Sequence, residues 1–146
     1  MQLGRCHFSR DHQGGTDAAH AGCVAATVKI LAVDDEDAIR RAMSFIFNEP
    51  RYEMALAVNG GHALAKIEAW ATDYDVVIVD QKMPQLTGLE FVQRIRKRGI
   101  RAKIIVLSAH LTAEIRQAYQ EMGVALILAK PFDIEEIRSA VDRLAA

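Results

Sequence analysis

The 146-residue sequence predicts a doubly wound α/β fold, and three observations predict it. Five short apolar runs alternate with five amphipathic segments of helical period. The runs are apolar at consecutive positions, as strands covered on both faces of a parallel sheet are. Polar residues able to do chemistry recur directly after the runs. In a sheet closed by right-handed crossovers, that is where functional groups gather.

The elements follow in order from Val28. Val28 to Val33 is the first strand, and Ala38, Ala42, Phe45 and Ile46 then recur at helical spacing, with Pro50 closing that helix. Tyr52 to Val58 is the second strand. Asn59-Gly60-Gly61 is a turn, and Leu64, Ile67 and Ala71 mark the second helix. Val76 to Val79 is the third strand, and Leu89, Val92 and Ile95 give a third helix ended by Gly99. Ile104 to Leu107 is the fourth strand. Leu111, Ile115, Ala118 and Met122 stripe the fourth helix, with Gly123 after it. Leu126 to Leu128 is the fifth strand, and Ile134, Ile137, Val141 and Leu144 complete the last helix.

Composition sets the class. Eighteen basic and nineteen acidic side chains leave a formal net charge of −1, which gives no reason to expect a nucleic-acid- or membrane-coating protein. The chain is 51% hydrophobic and 25% charged, ordinary for a globular domain with a substantial core. The longest apolar run, Val124 to Ala129, is far too short to span a bilayer. Two cysteines do not make a disulfide scaffold, and no secretory signal is evident, so a reducing cytoplasm is the expected compartment. Residues 1–27 show no sustained periodicity and read as a disordered N-terminal tail before a domain spanning 28–146. Cys6, His7, His12, His20 and Cys23 in that tail are metal-capable, but none of them has the tight pairing of a zinc site.

The strand ends carry the chemistry. Asp34-Asp35 follow the first strand, Asp80 ends the third, Ser108 the fourth, and Lys130-Pro131 follow the fifth. Two carboxylates about 4 Å apart repel by roughly 4 kcal/mol at an effective dielectric near 20. A hard divalent ion removes that penalty, and carboxylate, carbonyl and water ligands suit magnesium. Lys130 offers a second positive charge to a phosphoryl group, Ser108 a hydrogen bond, and one carboxylate a nucleophile. Charge neutralisation and positioning are what phosphoryl transfer mainly requires. Singly, each residue has a plainer reading. Asp34-Asp35 could cap a helix with Glu36-Asp37 at its positive end, and Asp80 could open a turn. Ser108 could cap the helix near Thr112, and Lys130 could be solvated. Jointly those readings fail, because every group falls at the same kind of position.

These residues resemble the receiver domain of bacterial two-component response regulators, of the stand-alone, chemotaxis-regulator-like type. The carriers are Val33-Asp34-Asp35-Glu36, Val79-Asp80-Gln81-Lys82-Met83-Pro84 with Gly88, Leu107-Ser108-Ala109, and Ala129-Lys130-Pro131-Phe132, with Asn59-Gly60 and Ala63-Leu64 in support. The resemblance covers everything but the tail. It implies a flavodoxin-like sheet of strand order 2-1-3-4-5. It also implies a phosphorylation-dependent switch rather than an enzyme, catalysing only its own phosphotransfer and slow self-dephosphorylation. Asp80 would be the phosphoacceptor, served by a phosphohistidine on a sensor histidine kinase or a histidine phosphotransfer protein. Asp35, Asp80 and the Lys82 carbonyl would hold Mg2+, with Asp34 acting partly through water. Ser108 resembles the switch hydroxyl and Lys130 the phosphate-pairing lysine, with a cis bond to Pro131. Output would be a contact with a downstream protein effector, or a dimer, through the face of the fourth helix, fifth strand and fifth helix.

Departures from the family pattern sharpen this. The aromatic residue common three positions before the lysine is here Ile127, so a switch turning on an aromatic rotamer at that position is not expected. Lys82 and His110 hold positions that influence phosphate lifetime in similar domains. Either they tune hydrolysis by excluding or orienting water, or they are solvated bystanders. The basic run Arg94, Arg96, Lys97, Arg98, Arg101 and Lys103 reads as a solvated face complementing a helix dipole, without the aromatic interleaving that single-strand binding uses. Three rivals remain. A phosphate-independent binding module would usually lack one of the key residues. A phosphatase with an aspartate nucleophile of the haloacid-dehalogenase type would place an acid where Lys82 stands. Flavin binding would not explain three carboxylates. A longer regulator carrying a further domain is the alternative to the stand-alone form.

Overall fold

The computed structural model describes residues 27–70 and 74–146. The expectations of a disordered tail over 1–27, of the metal-capable residues Cys6, His7, His12, His20 and Cys23, and of Ala71 in the second helix lie outside the described residues, Thr27 apart. Five strands, β1 (Val28–Val33), β2 (Tyr52–Ala57), β3 (Val76–Asp80), β4 (Lys103–Ser108) and β5 (Leu126–Ala129), alternate with five helices. The helices are α1 (Asp37–Ile46), α2 (Gly60–Trp70), α3 (Gly88–Lys97), α4 (Ala113–Glu121) and α5 (Ile134–Ala145). All pairings are parallel, in the order β2-β1-β3-β4-β5. The doubly wound architecture and its strand order are therefore those expected.

Alternation along the strands divides the core into two layers. Leu31, Val33, Val77, Val79, Ile104 and Val106 pack with Leu64 and Ile67 of α2, Phe91, Val92 and Ile95 of α3, and Tyr119 of α4. Ile30, Ala32, Val76, Ile78, Ile105 and Leu107 pack with Met43 and Ile46 of α1 and with Ile137, Ala140 and Val141 of α5. Because successive strand side chains point to opposite faces, strands covered twice must be apolar throughout, which is why β3 is buried from end to end.

Several local expectations are corrected. The buried stripe of α1 contains Met43 and Ile46 and continues into Phe47, with Ile39 packed against it. Phe45 is 68% exposed and Ala38 is exposed too, so the stripe is rotated from the expected one. Gly60 and Gly61 are not a turn but the first residues of α2. Asn59 precedes them, and its Oδ1 accepts the His62 N–H at 2.8 Å. Within β5, an edge strand, only Leu128 is buried. The basic run is not uniformly solvated. The Arg96 guanidinium donates to the carbonyls of Met122, Ile100, Ala102 and Gly123, tying the end of α3 to the end of α4, and Arg98 pairs with Glu68.

Helix ends are set locally. Thr87 and Glu90 form a reciprocal capping box at α3, and the Thr112 hydroxyl accepts the Ile115 N–H at 3.2 Å at α4. Gly99 and Gly123 follow α3 and α4 with φ of +78° and +75°, a conformation that side chains resist.

Candidate functional site

The carboxyl ends of the strands assemble the site at the point where strand order reverses, between β1 and β3. Asp34 continues the sheet by donating its N–H to the Ala57 carbonyl at 3.1 Å. Its Oδ1 accepts the Glu36 N–H at 2.9 Å, and its carbonyl accepts from the Arg40 guanidinium at 2.8 Å. Asp34 is thus no helix cap; Glu36 holds the N-cap position of α1 and makes no side-chain cap bond. Asp80 ends β3 in register with Leu107, and the next N–H, that of Gln81, donates to the Leu107 carbonyl at 3.0 Å. The Ser108 hydroxyl donates to the His110 carbonyl at 3.0 Å and accepts the His110 N–H at 3.1 Å. The cap of α4 is Thr112 instead.

Lys130 closes the cluster. Its backbone N–H donates to the Ser108 carbonyl at 2.9 Å, and the Lys130–Pro131 bond is cis. Its Nζ stands 2.8 Å from Asp80 Oδ1 and 3.5 Å from both Asp34 Oδ2 and Glu36 Oε1. Glu36 as a partner of this lysine is a feature the sequence reading missed. Its position directly after the Asp pair was the available signal. Asp35, Lys82, Ser108 and His110 line an open cleft together with Asp80 and Lys130. Ile127 is not in that lining; it is packed, partly buried, against the layer that contains Tyr119.

The electrostatics are those of buried acids. Asp34, Asp80 and Ser108 are the buried polar side chains among the described residues. Burial raises the Asp34 pKa to about 6; the Glu36 N–H opposes the rise, Asp80 adds to it and Lys130 counters it. Burial likewise raises that of Asp80 against the pull of Lys130. For Lys130, burial acts to lower the pKa, but the bond to Asp80 and the charges of Asp34, Asp80 and Glu36 outweigh it, so the ammonium form is favoured.

Carboxylate oxygens of Asp34, Asp35 and Asp80 lie within 4.8 Å of one another, and a single lysine faces more than one of them. A hard, oxygen-seeking divalent cation fits this donor set, because it would relieve repulsion that Lys130 only partly offsets.

Sequence reasoning also missed Tyr119. It is fully buried, its hydroxyl donates to Gln81 Oε1, and burial followed by the charge of Asp80 pushes its pKa up. The signal was present, since Tyr119 lies four residues after Ile115 on the predicted stripe. Its polar contact, however, depends on a close approach at Gly88.

Comparison with known proteins agrees with the geometry. Residues 30–142 match the family model described as the response regulator receiver domain. The sporulation initiation phosphotransferase F of Bacillus subtilis is 35% identical over 115 residues, covering 79% of this chain and 91% of that protein. The regulatory protein AtoC of Escherichia coli is 32% identical over 82% of this chain but only 26% of its own length. For the response regulator MprA of Mycolicibacterium vanbaalenii the identity is 37%, over 75% of this chain and 47% of that protein. The chain thus spans nearly all of one relative and half or less of the other two. Among solved structures, the chemotaxis protein CheY4 of Vibrio cholerae superposes with a TM-score of 0.74 at 34% identity, covering 82% of this chain and 99% of that one. The response regulator TrrA of Thermotoga maritima, in complex with Mg(2+)-BeF, gives 0.67 at 36% identity, covering 80% and 97%.

Proposed function

This chain belongs to the response regulator receiver domains, and on that premise we propose that Asp80 accepts a phosphoryl group from a phosphohistidine, with Mg2+ held by Asp34, Asp35, Asp80 and the Lys82 carbonyl. The observation that carries the assignment is the 2.8 Å contact of Lys130 Nζ with Asp80 Oδ1 beside two further carboxylates. In the step itself, an Asp80 carboxylate oxygen forms a bond to phosphorus as the histidine N–P bond breaks, and the leaving imidazole takes up a proton. A bound divalent cation would supply charge neutralisation to the carboxylates and the phosphoryl oxygens. Lys130 pairs with a phosphoryl oxygen, exchanging part of its contact with Asp80 for one with the incoming group. The Ser108 hydroxyl leaves its two bonds to His110 and donates to another phosphoryl oxygen. Lys82 and His110 line the cleft and control the approach of the water that hydrolyses the acyl phosphate.

The receiver is a phosphoacceptor switch in two-component signalling, in which receiver domains meet histidine kinases or phosphotransfer proteins. Here the donor is proposed to be either of these, in a cytoplasmic relay. Output is proposed to pass to a downstream protein, or to a second copy of the chain, through the face formed by α4, β5 and α5. Incubation with magnesium and a small phosphodonor, followed by intact-mass measurement, tests the core of this reading. Gain of one phosphoryl group by the wild type and none by Asp80→Asn is the expected result. Equal gain by both, or none by the wild type, overturns it.

A further inference from the structure

Gln81, the residue after Asp80, is held by three elements at once. Its N–H donates to the Leu107 carbonyl of β4 at 3.0 Å, and its carbonyl accepts the Gly88 N–H at the start of α3, also at 3.0 Å. The third bond comes from α4, where the Tyr119 hydroxyl donates to Gln81 Oε1. Within α4, Tyr119 is the buried residue, while Ile115 and Ala118 are only partly covered. A hydroxyl with no access to water needs a partner inside the protein, and Gln81 supplies it.

The fit around this contact is tight. A methyl group on Gly88 would stand 2.8 Å from the Tyr119 hydroxyl, 2.6 Å from the Asp80 carbonyl oxygen and 2.9 Å from Gln81 Cα. The phenol hydroxyl and the Asp80 carbonyl therefore border the same gap, which only glycine leaves open. Burial and then the charge on Asp80 are what raise its pKa, so the phenol senses that carboxylate electrostatically.

We infer that Tyr119 is a positioning residue that, through Gln81, sets the backbone at Asp80 and couples α4 to the phosphorylation state of that aspartate. The inference rests on the assignment of Asp80 as phosphoacceptor. When Ser108 leaves His110 for the phosphoryl group, the segment 109–112 that leads into α4 loses two hydrogen bonds. With the Tyr119 hydroxyl fastened to Gln81, α4 is joined to the site by two connections, its own leading segment and the backbone after Asp80. Without that hydroxyl, only the first remains. A bistable element responds to a ligand only as far as its contacts differ between the two states.

The test compares the full chain with its Tyr119→Phe, Gln81→Met and Gln81→Glu variants. Uptake of phosphoryl is read by intact mass, and amide hydrogen exchange over 113–121 is read with and without magnesium and beryllofluoride. Tyr119→Phe should still take up the phosphoryl group. Its exchange response in α4 should fall roughly fivefold, the shift expected for one buried hydrogen bond. Gln81→Met should reproduce the loss from the other side of the contact, and Gln81→Glu, which keeps an acceptor oxygen, should retain the response. An unchanged α4 response in Tyr119→Phe and Gln81→Met, with normal uptake, overturns the inference alone. Failure of the wild type to take up phosphoryl overturns the phosphoacceptor assignment and this inference with it.

Discussion

Replacing Asp34 by asparagine should make the metal-free protein more stable. The oxygens of Asp34, Asp35 and Asp80 lie within 4.8 Å of one another. At that separation one pair of unit charges repels by about 3.5 kcal/mol at an effective dielectric near 20. The Asp34 pKa rises from 3.8 to about 6, chiefly through burial, with the charge of Asp80 adding to it. At about 1.4 kcal/mol per pKa unit, the rise sets about 3 kcal/mol against the charged form in the folded state at neutral pH. Asparagine removes the charge and keeps an Oδ1 for the Glu36 N–H, which Asp34 now accepts at 2.9 Å. Burying the amide takes back part of the gain, so a net stabilisation of about 1–2 kcal/mol is expected. Urea denaturation at neutral pH, in chelator and again with magnesium, reads both halves of the effect. The wild type should gain about 1.4 kcal/mol when magnesium is at ten times its dissociation constant. Asp34→Asn should start above the wild type in chelator and gain much less. A variant less stable than the wild type in chelator would refute the reasoning that burial and crowding penalise the Asp34 charge. An undiminished magnesium gain would remove Asp34 from the ligand set.

Three other outcomes follow from contacts at and around the cleft. Gly88→Ala drives a methyl group to 2.6 Å from the Asp80 carbonyl, so urea denaturation should show a loss of about 1–3 kcal/mol; a change below about 0.5 kcal/mol contradicts the close approach. Arg96→Ala removes four hydrogen bonds to carbonyls and should cost about 2–3 kcal/mol in the same assay. Lys at this position should recover little, because it lacks the forked donor geometry. The double variant Lys82→Ala, His110→Ala should lose phosphoryl at a different rate from the wild type when decay is followed by intact mass, and an unchanged rate makes both side chains bystanders at the cleft mouth.

Much of the fold is legible in the sequence because a parallel sheet covered on both faces imposes a strong pattern. Val76 to Val79 could hardly be anything but a buried strand, and they are buried throughout. The helices carry less information. In α1 the spacing 38-42-45-46 and the spacing 39-43-46-47 both satisfy a helical period, and the chain uses the second. Alanine marks a buried face weakly, and the angle at which the chain leaves β1 decides which side of α1 meets the sheet. The pattern cannot report that angle, so Phe45 fits the predicted stripe yet lies 68% exposed. Arg96 shows the same limit for charge. A basic run after a helix looks solvated, yet one guanidinium finds four carbonyls because α3 and α4 end side by side. The strand-end groups were easier, since topology alone brings Asp34, Asp80, Ser108 and Lys130 to one edge. The contact of Tyr119 with Gln81 was harder, because it needs the gap at Gly88, which only assembled backbones reveal.

The cost of the crowded cleft has to be met by contacts elsewhere in the fold. Small domains hold only about 5–15 kcal/mol of net stability, and a penalty near 3 kcal/mol from crowded, buried carboxylates is a large share of it. Neutralising those groups by substitution would recover the energy but remove the side chains proposed to bind a cation and to accept a phosphoryl group. The compensation is therefore placed away from the acids. The Tyr52 hydroxyl donates to Asp142 at 2.6 Å, and Arg51 joins the same carboxylate at 3.2 Å, fixing the start of β2 to the end of α5. Arg96 joins the ends of α3 and α4, and the Thr87–Glu90 box fixes where α3 begins. None of these residues lines the cleft, so they hold the frame without neutralising the repulsion inside it. A near-neutral chain can in this way keep one strongly acidic pocket. Its formal net charge of −1 sums the whole chain and conceals the carboxylates gathered at the carboxyl ends of β1 and β3.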